Sequence, residues 1–567
     1  MEELKVPGQS NDEIKKTAFR YAIKNAFEHD GVAQVGSVVG KVKALFPDVI
    51  LGSAMPIIND AVKEANSLGK EKLKETYDLF NEAGFELKQV EKEKVLPELT
   101  WFKKGDKIIT RAAPCPTGPM HFGHARPYIL SDEYVKKYGG KYIMRFDDTD
   151  PKVKIPEAGM EESFLADFKW LGININGGIV RQSDNLKRYH QIIEQLLIEN
   201  KAYVCFCESE TWRQKIWKGE TCECRDKTVK EQLKYFKEML NGTLKEGSCI
   251  IRLKTDLTDK DTSTRDFWIA KIVDDPSKHP NKKTHKVHVW PAYNLASVVD
   301  DYDMGINFTV RGQEHIPNEK KQRMISDHFG WVYPHTMYHG KISKLADMVL
   351  SKSKMKILME KEGILRYDDP RMSTMKSFKR RGFKPETIRK IIFDLGLNIN
   401  EAKISTENFA SANQSFLGEV NTFPFIENKI ELQVLNCQNG KFKVNNTEII
   451  IDSPIQKFIV DKDEINKFKL EDTIRLKEGF NIKLTSLNNE SASAEFISYE
   501  KSGYKTINHI QLGKELDATV LMSDNTEKKG ISINSILKEK GEVVLLNNLG
   551  YVKIETKEPL YLVFGHV

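Results

Sequence analysis

From Ser10 to about Glu86 the chain repeats apolar residues at helical spacing, with Ile14, Ala18, Tyr21 and Ala22 on one face. Ser10 and Glu13 stand at capping-box spacing in front of that helix. A second helix is expected to carry Ile58, Val62 and Ala65, and a third Leu73, Tyr77 and Phe80 before Gly84. No catalytic pattern accompanies these helices, so they read as a packing or docking module. From about Trp101 short apolar runs alternate with helical stretches, which predicts a parallel sheet with crossovers. Ile108 and Ile109 end one expected strand, a helix follows His121, and Tyr142, Ile143 and Met144 make the next strand. After about Glu401 the pattern alternates: Ile430, Leu432 and Val434 form one run, Asn439-Gly440 is a hairpin signal, and further alternation surrounds Leu484, Phe496 and Val543. Short strands with Asn and Gly turns predict one or two β-barrels. The fold class is multi-domain α/β plus β, with an N-terminal helical domain.

A chain of 567 residues exceeds what one core supports and predicts about three or four domains. No apolar run approaches the ~18 residues of a membrane span. Glu2, Glu3 and Lys5 leave no room for a signal-peptide core, so a cytoplasmic protein without a membrane partner is expected. The net charge of +6 is mild and says little about nucleic acid by itself. Local clustering says more: Lys376, Lys379, Arg380, Arg381, Lys384, Arg389 and Lys390 face a single acid, Glu386. On a helix–turn–helix several of these cations share one side and suit a phosphate backbone, although a charged run is also an ordinary solvated face.

The most specific chemistry follows the first strand. His121 and His124 bracket Gly123 where a helix starts, and backbone N–H groups there already face an anion. The imidazoles add donors, and Gly123 has no side chain to hold an adenine off the backbone. Taken alone, such a motif is equally a turn with two solvated histidines. A dinucleotide site is disfavoured because no Gly-x-Gly-x-x-Gly occurs in this first turn. Asp147 follows the second strand, and ligands of such sheets bind beyond the strands' carboxyl ends. Asp148 and Asp150 read as turn and cap residues rather than metal ligands. Four of the seven cysteines form two Cys-x-Cys pairs, Cys205 with Cys207 and Cys222 with Cys224. They suit a tetrahedral zinc site, or else are reduced thiols in a β-hairpin.

With Val349-Leu350-Ser351-Lys352-Ser353 downstream, the histidine motif resembles the paired signatures of class I aminoacyl-tRNA synthetases. Arg145-Phe146-Asp147-Asp148-Thr149-Asp150-Pro151, Trp290-Pro291-Ala292-Tyr293-Asn294, Asp300-Asp301 and Asp369-Pro370-Arg371 look like the glutamyl/glutaminyl subclass, and they occur in its order. The helical N-terminus and the β-type C-terminus look like the archaeal and eukaryotic branch. Val349 and Leu350 depart from the fullest form of the second signature and shift the burden to Lys352.

The resemblance implies residues 1–95 as the helical domain and residues 96–200 and 291–345 as halves of a Rossmann-type catalytic domain. Residues 201–290 would be an acceptor-binding insertion, 346–400 the lysine loop with a helical stem-contact region, and 401–567 β-barrel anticodon-binding domains. It implies ATP-dependent ligation of glutamate to tRNA through an adenylate, with ATP bringing Mg²⁺. His121, His124 and Lys352, the last on a mobile loop, would carry the catalysis. Thr117, Gly118, Gly123, Ser351 and Ser353 would complete the ATP site, the two serines serving equally as loop formers. Arg111, Asp147, Tyr293, Ser297 and Arg311 would hold the amino acid. Arg311 discriminates: a guanidinium fork matches a carboxylate and gains less from an amide. Lys376, Lys379, Arg380, Arg381 and Lys384 would meet tRNA(Glu), and tRNA(Gln) is open as a second substrate. Zinc is optional in the family. The alternatives are glutamine as the amino acid, or a non-catalytic tRNA-binding or tRNA-modifying relative; a monomer is expected.

Overall fold

The computed structural model describes residues 11–28, 31–46, 49–82, 96–103, 105–345, 348–350, 352–363, 366–444, 447–501 and 503–567. The chain divides into two compact units, residues 1–95 and 96–567. In the first, α1 (Asn11–Glu28), α2 (Val35–Leu45), α3 (Leu51–Asn66) and α4 (Lys70–Glu82) enclose one core. Ala18, Ala22, Ile58 and Ala65 lie at its centre, and the small residues let α1 pack closely against α3. The helix α2 is additional to the three expected, because Gly36 and Gly40 dilute its propensity until packing of Val38 and Val42 decides. Ser10 and Gly84, expected at helix ends, lie outside the described residues. Among the described residues no helix is long and apolar enough to cross a membrane.

The second unit opens with β1 (Ile108–Ala112), α5 (Phe122–Tyr138), β2 (Gly140–Phe146), α6 (Met160–Trp170) and β3 (Ile179–Arg181). Their strands form a parallel sheet in the order β1-β2-β3. Ile108 and Ile109 thus begin β1 rather than ending a strand, and the run continues through Thr110 and Arg111 because those polar side chains are buried. The helix α7 (Leu186–Ile198) leads into an antiparallel sheet of β4 (Ala202–Cys205), β5 (Ile250–Leu253), β6 (Trp268–Ile272) and β7 (Val289–Pro291), in that order. Between β4 and β5 lie α8 (Ser209–Lys218) and α9 (Val229–Leu240). The chain then makes α10 (Tyr293–Asp303), β8 (Phe308–Gly312), α11 (Ile316–Phe329) and β9 (His335–His339), with β8 and β9 parallel. Asn307 joins β8 to β1: its N–H donates to Ile109 O at 3.0 Å, and its side-chain oxygen accepts from Ile109 N–H at 2.8 Å.

Beyond these strands lie α12 (Lys352–Glu362), α13 (Met375–Arg380), α14 (Pro385–Leu395) and α15 (Thr406–Leu417). Phe378, Ile388, Ile392 and Phe409 share the core of α5 and the parallel sheet. The C-terminal region builds a seven-stranded and a six-stranded sheet. The hairpin expected at Asn439-Gly440 is displaced. Gly440–Val444 pairs forward with Thr447–Ile451, so the turn falls beyond the Asn-Gly pair, which instead links this ribbon to the seven-stranded sheet. The hairpin around Val544 and Val552 forms in direct register.

Candidate active site

The carboxyl ends of β1, β2 and β8 and the starts of α5 and α10 open onto a cavity of about 860 Å³. This is where a parallel sheet presents loops and helix N-termini to ligands. His121 is the residue before α5, in extended conformation, and its Nδ1 accepts from Gly123 N–H at 3.2 Å. In that geometry the ring proton sits on Nε2, and the ring stands at the positive end of the helix. The ring of His124 packs against it with centroids 3.7 Å apart. A Cβ on Gly123 would lie 3.1 Å from the His121 ring. Gly123 therefore protects the placement of His121 as well as leaving space for a nucleotide. Thr117, Gly118, Gly123 and His124 line the cavity.

Arg111, Asp147, Tyr293 and Arg311 line the same cavity. Beneath them lies a buried charge network. Arg111 sends Nε and Nη2 to the two oxygens of Asp301 at 2.9 and 3.1 Å. Arg145, wholly buried, donates from Nη1 to Asp301 at 2.6 Å and from Nε to Asp147 at 2.7 Å. Burial alone would raise the Asp301 carboxyl, but the charges of Arg111 and Arg145 hold it below the usual carboxylate range. Arg111 is thus largely engaged in holding the site together. Ser297, expected to face the cavity, sits one helical turn beyond Tyr293 and deeper. It is fully buried, and its Oγ accepts from Arg145 Nη2 at 3.0 Å.

Arg311 differs. It is buried, and its partners are neutral oxygens: Gln322 Oε1 at 2.9 Å, the Tyr333 hydroxyl at 3.0 Å and the Tyr293 hydroxyl at 2.8 Å. Among the described residues no carboxylate pairs with it. A buried cation whose hydrogen-bond partners are all neutral oxygens, at the wall of a cavity, is arranged for an incoming anion. His315 and His339 line the same region. Burial, reinforced at His315 by the charge of Arg311, pushes both down to about 4, so they add no competing charge at neutral pH.

Asp148 and Asp150 are structural. Asp148 accepts from Ser183 N–H at 2.8 Å, and burial raises its carboxyl to about 6. Asp150 caps the N–H groups of Lys152 and Val153, both at 3.0 Å. Sequence reasoning missed Tyr128, Cys115, Glu314, Trp268 and Lys271, which line the cavity. Cys115, two residues before Thr117, and Glu314, following Arg311 and Gly312, stood close enough to a signature to be found.

Lys352 begins α12 rather than lying on a loop, since the Lys- and Met-rich run after it is a strong helix former. Met355 and Met359 of that helix line the cavity. Ser351 and the side chains of Lys352 and Ser353 lie outside the described residues.

The four cysteines converge: the sulfurs of Cys205, Cys207, Cys222 and Cys224 lie within 4.8 Å of one another. Cys222 ionises most readily, held down to about 5 chiefly by its hydrogen bond with Cys205, while burial pushes Cys207 up to about 11. Such a set can hold a metal ion.

The basic run divides. Lys376, Lys379 and Lys384 lie on α13 or in the turn after it, with Lys379 exposed. Arg380 instead forks onto Glu555 at 2.6 and 2.9 Å, and Arg381 is buried against backbone carbonyls. Neither presents its guanidinium to a phosphate backbone, because the C-terminal sheet covers this face.

The family model described as tRNA synthetases class I (E and Q), catalytic domain, matches residues 107–419. A glutamate–tRNA ligase of Pyrococcus furiosus is 37% identical over 96% of this chain and 98% of its own length. One of Pyrococcus horikoshii is 38% identical over 96% and 98%, and one of Methanocaldococcus jannaschii 33% identical over 95% and 97%. By the match of its catalytic region and by these relatives along nearly its whole length, the chain belongs to the class I tRNA synthetases of the glutamate and glutamine group.

Proposed function

We propose that this chain activates glutamate with ATP and transfers it to tRNA. The observation that carries the reading is Arg311, a buried guanidinium among neutral oxygens at the wall of the cavity that Gly123 and His124 also line. Its full-length relatives, named as glutamate–tRNA ligases, support the same substrates. The glutamate side-chain carboxylate meets Arg311 and the Tyr293 hydroxyl, while Asp147 receives the α-ammonium. The α-carboxylate attacks the α-phosphorus of ATP, and pyrophosphate leaves. That nucleophile is already an anion, so alignment and charge neutralisation suffice without a general base. A terminal ribose hydroxyl of tRNA then attacks the acyl carbon, and AMP leaves.

His121 and His124 supply donors to the phosphates at the start of α5. Lys352, at the start of α12, meets the departing pyrophosphate. Replacing Lys352 by alanine lowers the rate of adenylate formation by about 10²–10³-fold, the usual cost of one donor to developing charge. Glutamate affinity, measured by equilibrium binding, should stay near wild type; an equal loss in both would refute the role. ATP carries Mg²⁺ largely through its own phosphates. Lys376, Lys379 and Lys384 contact tRNA, residues 201–290 serve its acceptor end, and the C-terminal sheets serve its anticodon. Charging assays with purified tRNA(Glu) and tRNA(Gln), each with glutamate and glutamine, test the reading; failure to charge glutamate on either overturns it.

The cysteine set fits zinc. Tetrahedral thiolates at about 2.3 Å from the ion stand roughly 3.8 Å from one another, and Cys205 and Cys222 are 4.0 Å apart. The ion would fix the segment between β4 and α9, which has only a small apolar cluster of its own. Metal analysis of purified protein should find one zinc per chain, and Cys222→Ser should lose it. Protein that is folded, active and free of zinc counts against the site.

A further inference from the structure

A short strap, residues 370–374, joins the two nucleotide motifs to one helix. Phe122 N–H donates to Ser373 O at 2.9 Å and Met375 N–H to Met120 O at 3.1 Å, tying the strap to the histidine motif. On its other side Val349 N–H donates to Arg371 O at 3.1 Å and Ser373 N–H to Val349 O at 3.3 Å, tying it to the residue that opens the lysine motif. The strap ends at Thr374, whose Oγ1 caps α13 by accepting from Ser377 N–H at 3.1 Å.

The far end of α13 is fastened differently. Arg381 is buried, and its guanidinium donates from Nη1 to Pro370 O at 3.2 Å, at the root of the strap. It donates from Nε to Phe564 O at 3.1 Å and from Nη2 to Gly565 O at 2.5 Å, both on the final strand Leu560–His566. One rigid fork therefore links the strap to the C-terminal sheet. The approach is backbone to backbone: a Cβ on Gly565 would lie 2.8 Å from Arg381 O. Beside it Lys553 Nζ donates to Lys379 O at 3.2 Å, and Asn413 Nδ2 meets His566 Nε2 at 3.0 Å.

We propose that Arg381 is a positioning residue that couples the seating of the C-terminal sheet to the spacing of the two nucleotide motifs. It touches no substrate and acts through Pro370 and the strap. Packed elements of this kind pass on a displacement instead of absorbing it, and reacting groups tolerate little misplacement. The inference rests on the proposed activity, in which tRNA engages the C-terminal sheets.

The test uses the full-length chain with Arg381→Lys, which keeps the charge but cannot span three carbonyls. Gly565→Ala disturbs the same contact from the opposite strand. At saturating tRNA, kcat for charging should fall about tenfold in each, while tRNA affinity changes by less than about threefold. The kcat loss caused by an altered anticodon should also shrink in both variants, because the coupling it travels through is already broken. Folded variants with wild-type kcat overturn the proposal. A loss confined to tRNA affinity, or an anticodon effect simply additive with the substitution, overturns it as well. Wild-type charging measured alongside separates failure of this contact from failure of the activity itself.

Discussion

Replacing Arg311 by alanine is expected to lower kcat/KM for glutamate by a factor of roughly 30 to several thousand. That range corresponds to about 2–5 kcal/mol for a buried charge pair that loses one partner. The loss falls on the amino acid, whose side-chain carboxylate is the group proposed to meet Arg311, and KM for ATP should barely move. Arg311→Lys should recover only part of the activity, because an ammonium is a point charge where a planar fork is needed. The variant should stay folded: it leaves Gln322, Tyr293 and Tyr333 to hydrogen-bond with one another or with water, Tyr333 already donating to Gln322 at 2.7 Å. Steady-state charging over a glutamate titration gives the answer. Undiminished kcat/KM would remove the physical basis for choosing glutamate.

The second large effect concerns stability. Asp301 is the anion between Arg111 and Arg145, and neither arginine is exposed. Asp301→Asn keeps the shape and removes the charge, leaving two buried cations that, among the described residues, keep Asp147 as their one hydrogen-bonded carboxylate. The expected loss is about 3–5 kcal/mol of unfolding free energy, read as an earlier transition in urea for the catalytic region. The pH dependence has a definite sign. The folded carboxyl lies below its unfolded value of about 4, so its contribution is fully present above that pH and disappears as pH falls through the lower folded value. The Asn variant should lack this component of acid unfolding. A variant that unfolds where wild type does would show that the network contributes nothing net.

What the sequence made legible depended on locality. The histidine motif, the capping of Lys152 and Val153 by Asp150 and the strand alternation around Val543 are written in neighbouring residues, and a reader of one sequence sees neighbours. The convergence of four cysteines was also readable, since each Cys-x-Cys pair already holds two sulfurs close together. Positions decided by distant contacts were not. Ser297 shares the helical face of Tyr293, yet burial places its hydroxyl under Asp147 against Arg145. Arg380 and Arg381 belong to an apparently free basic run, and only folding brings Glu555, Phe564 and Gly565 against them. The Asn439-Gly440 turn misled for the same reason: pairing partners, rather than turn chemistry alone, decide where a strand reverses.

The shared carboxylate of Asp301 also decides which guanidinium is left to recognise a ligand. Arg111 and Arg145 direct their forks at Asp301 and Asp147, whereas Arg311 is hydrogen-bonded to neutral oxygens alone. Glutamate presents that third fork with two equivalent anionic oxygens; glutamine presents one carbonyl oxygen and an amide nitrogen whose hydrogens oppose the guanidinium's own.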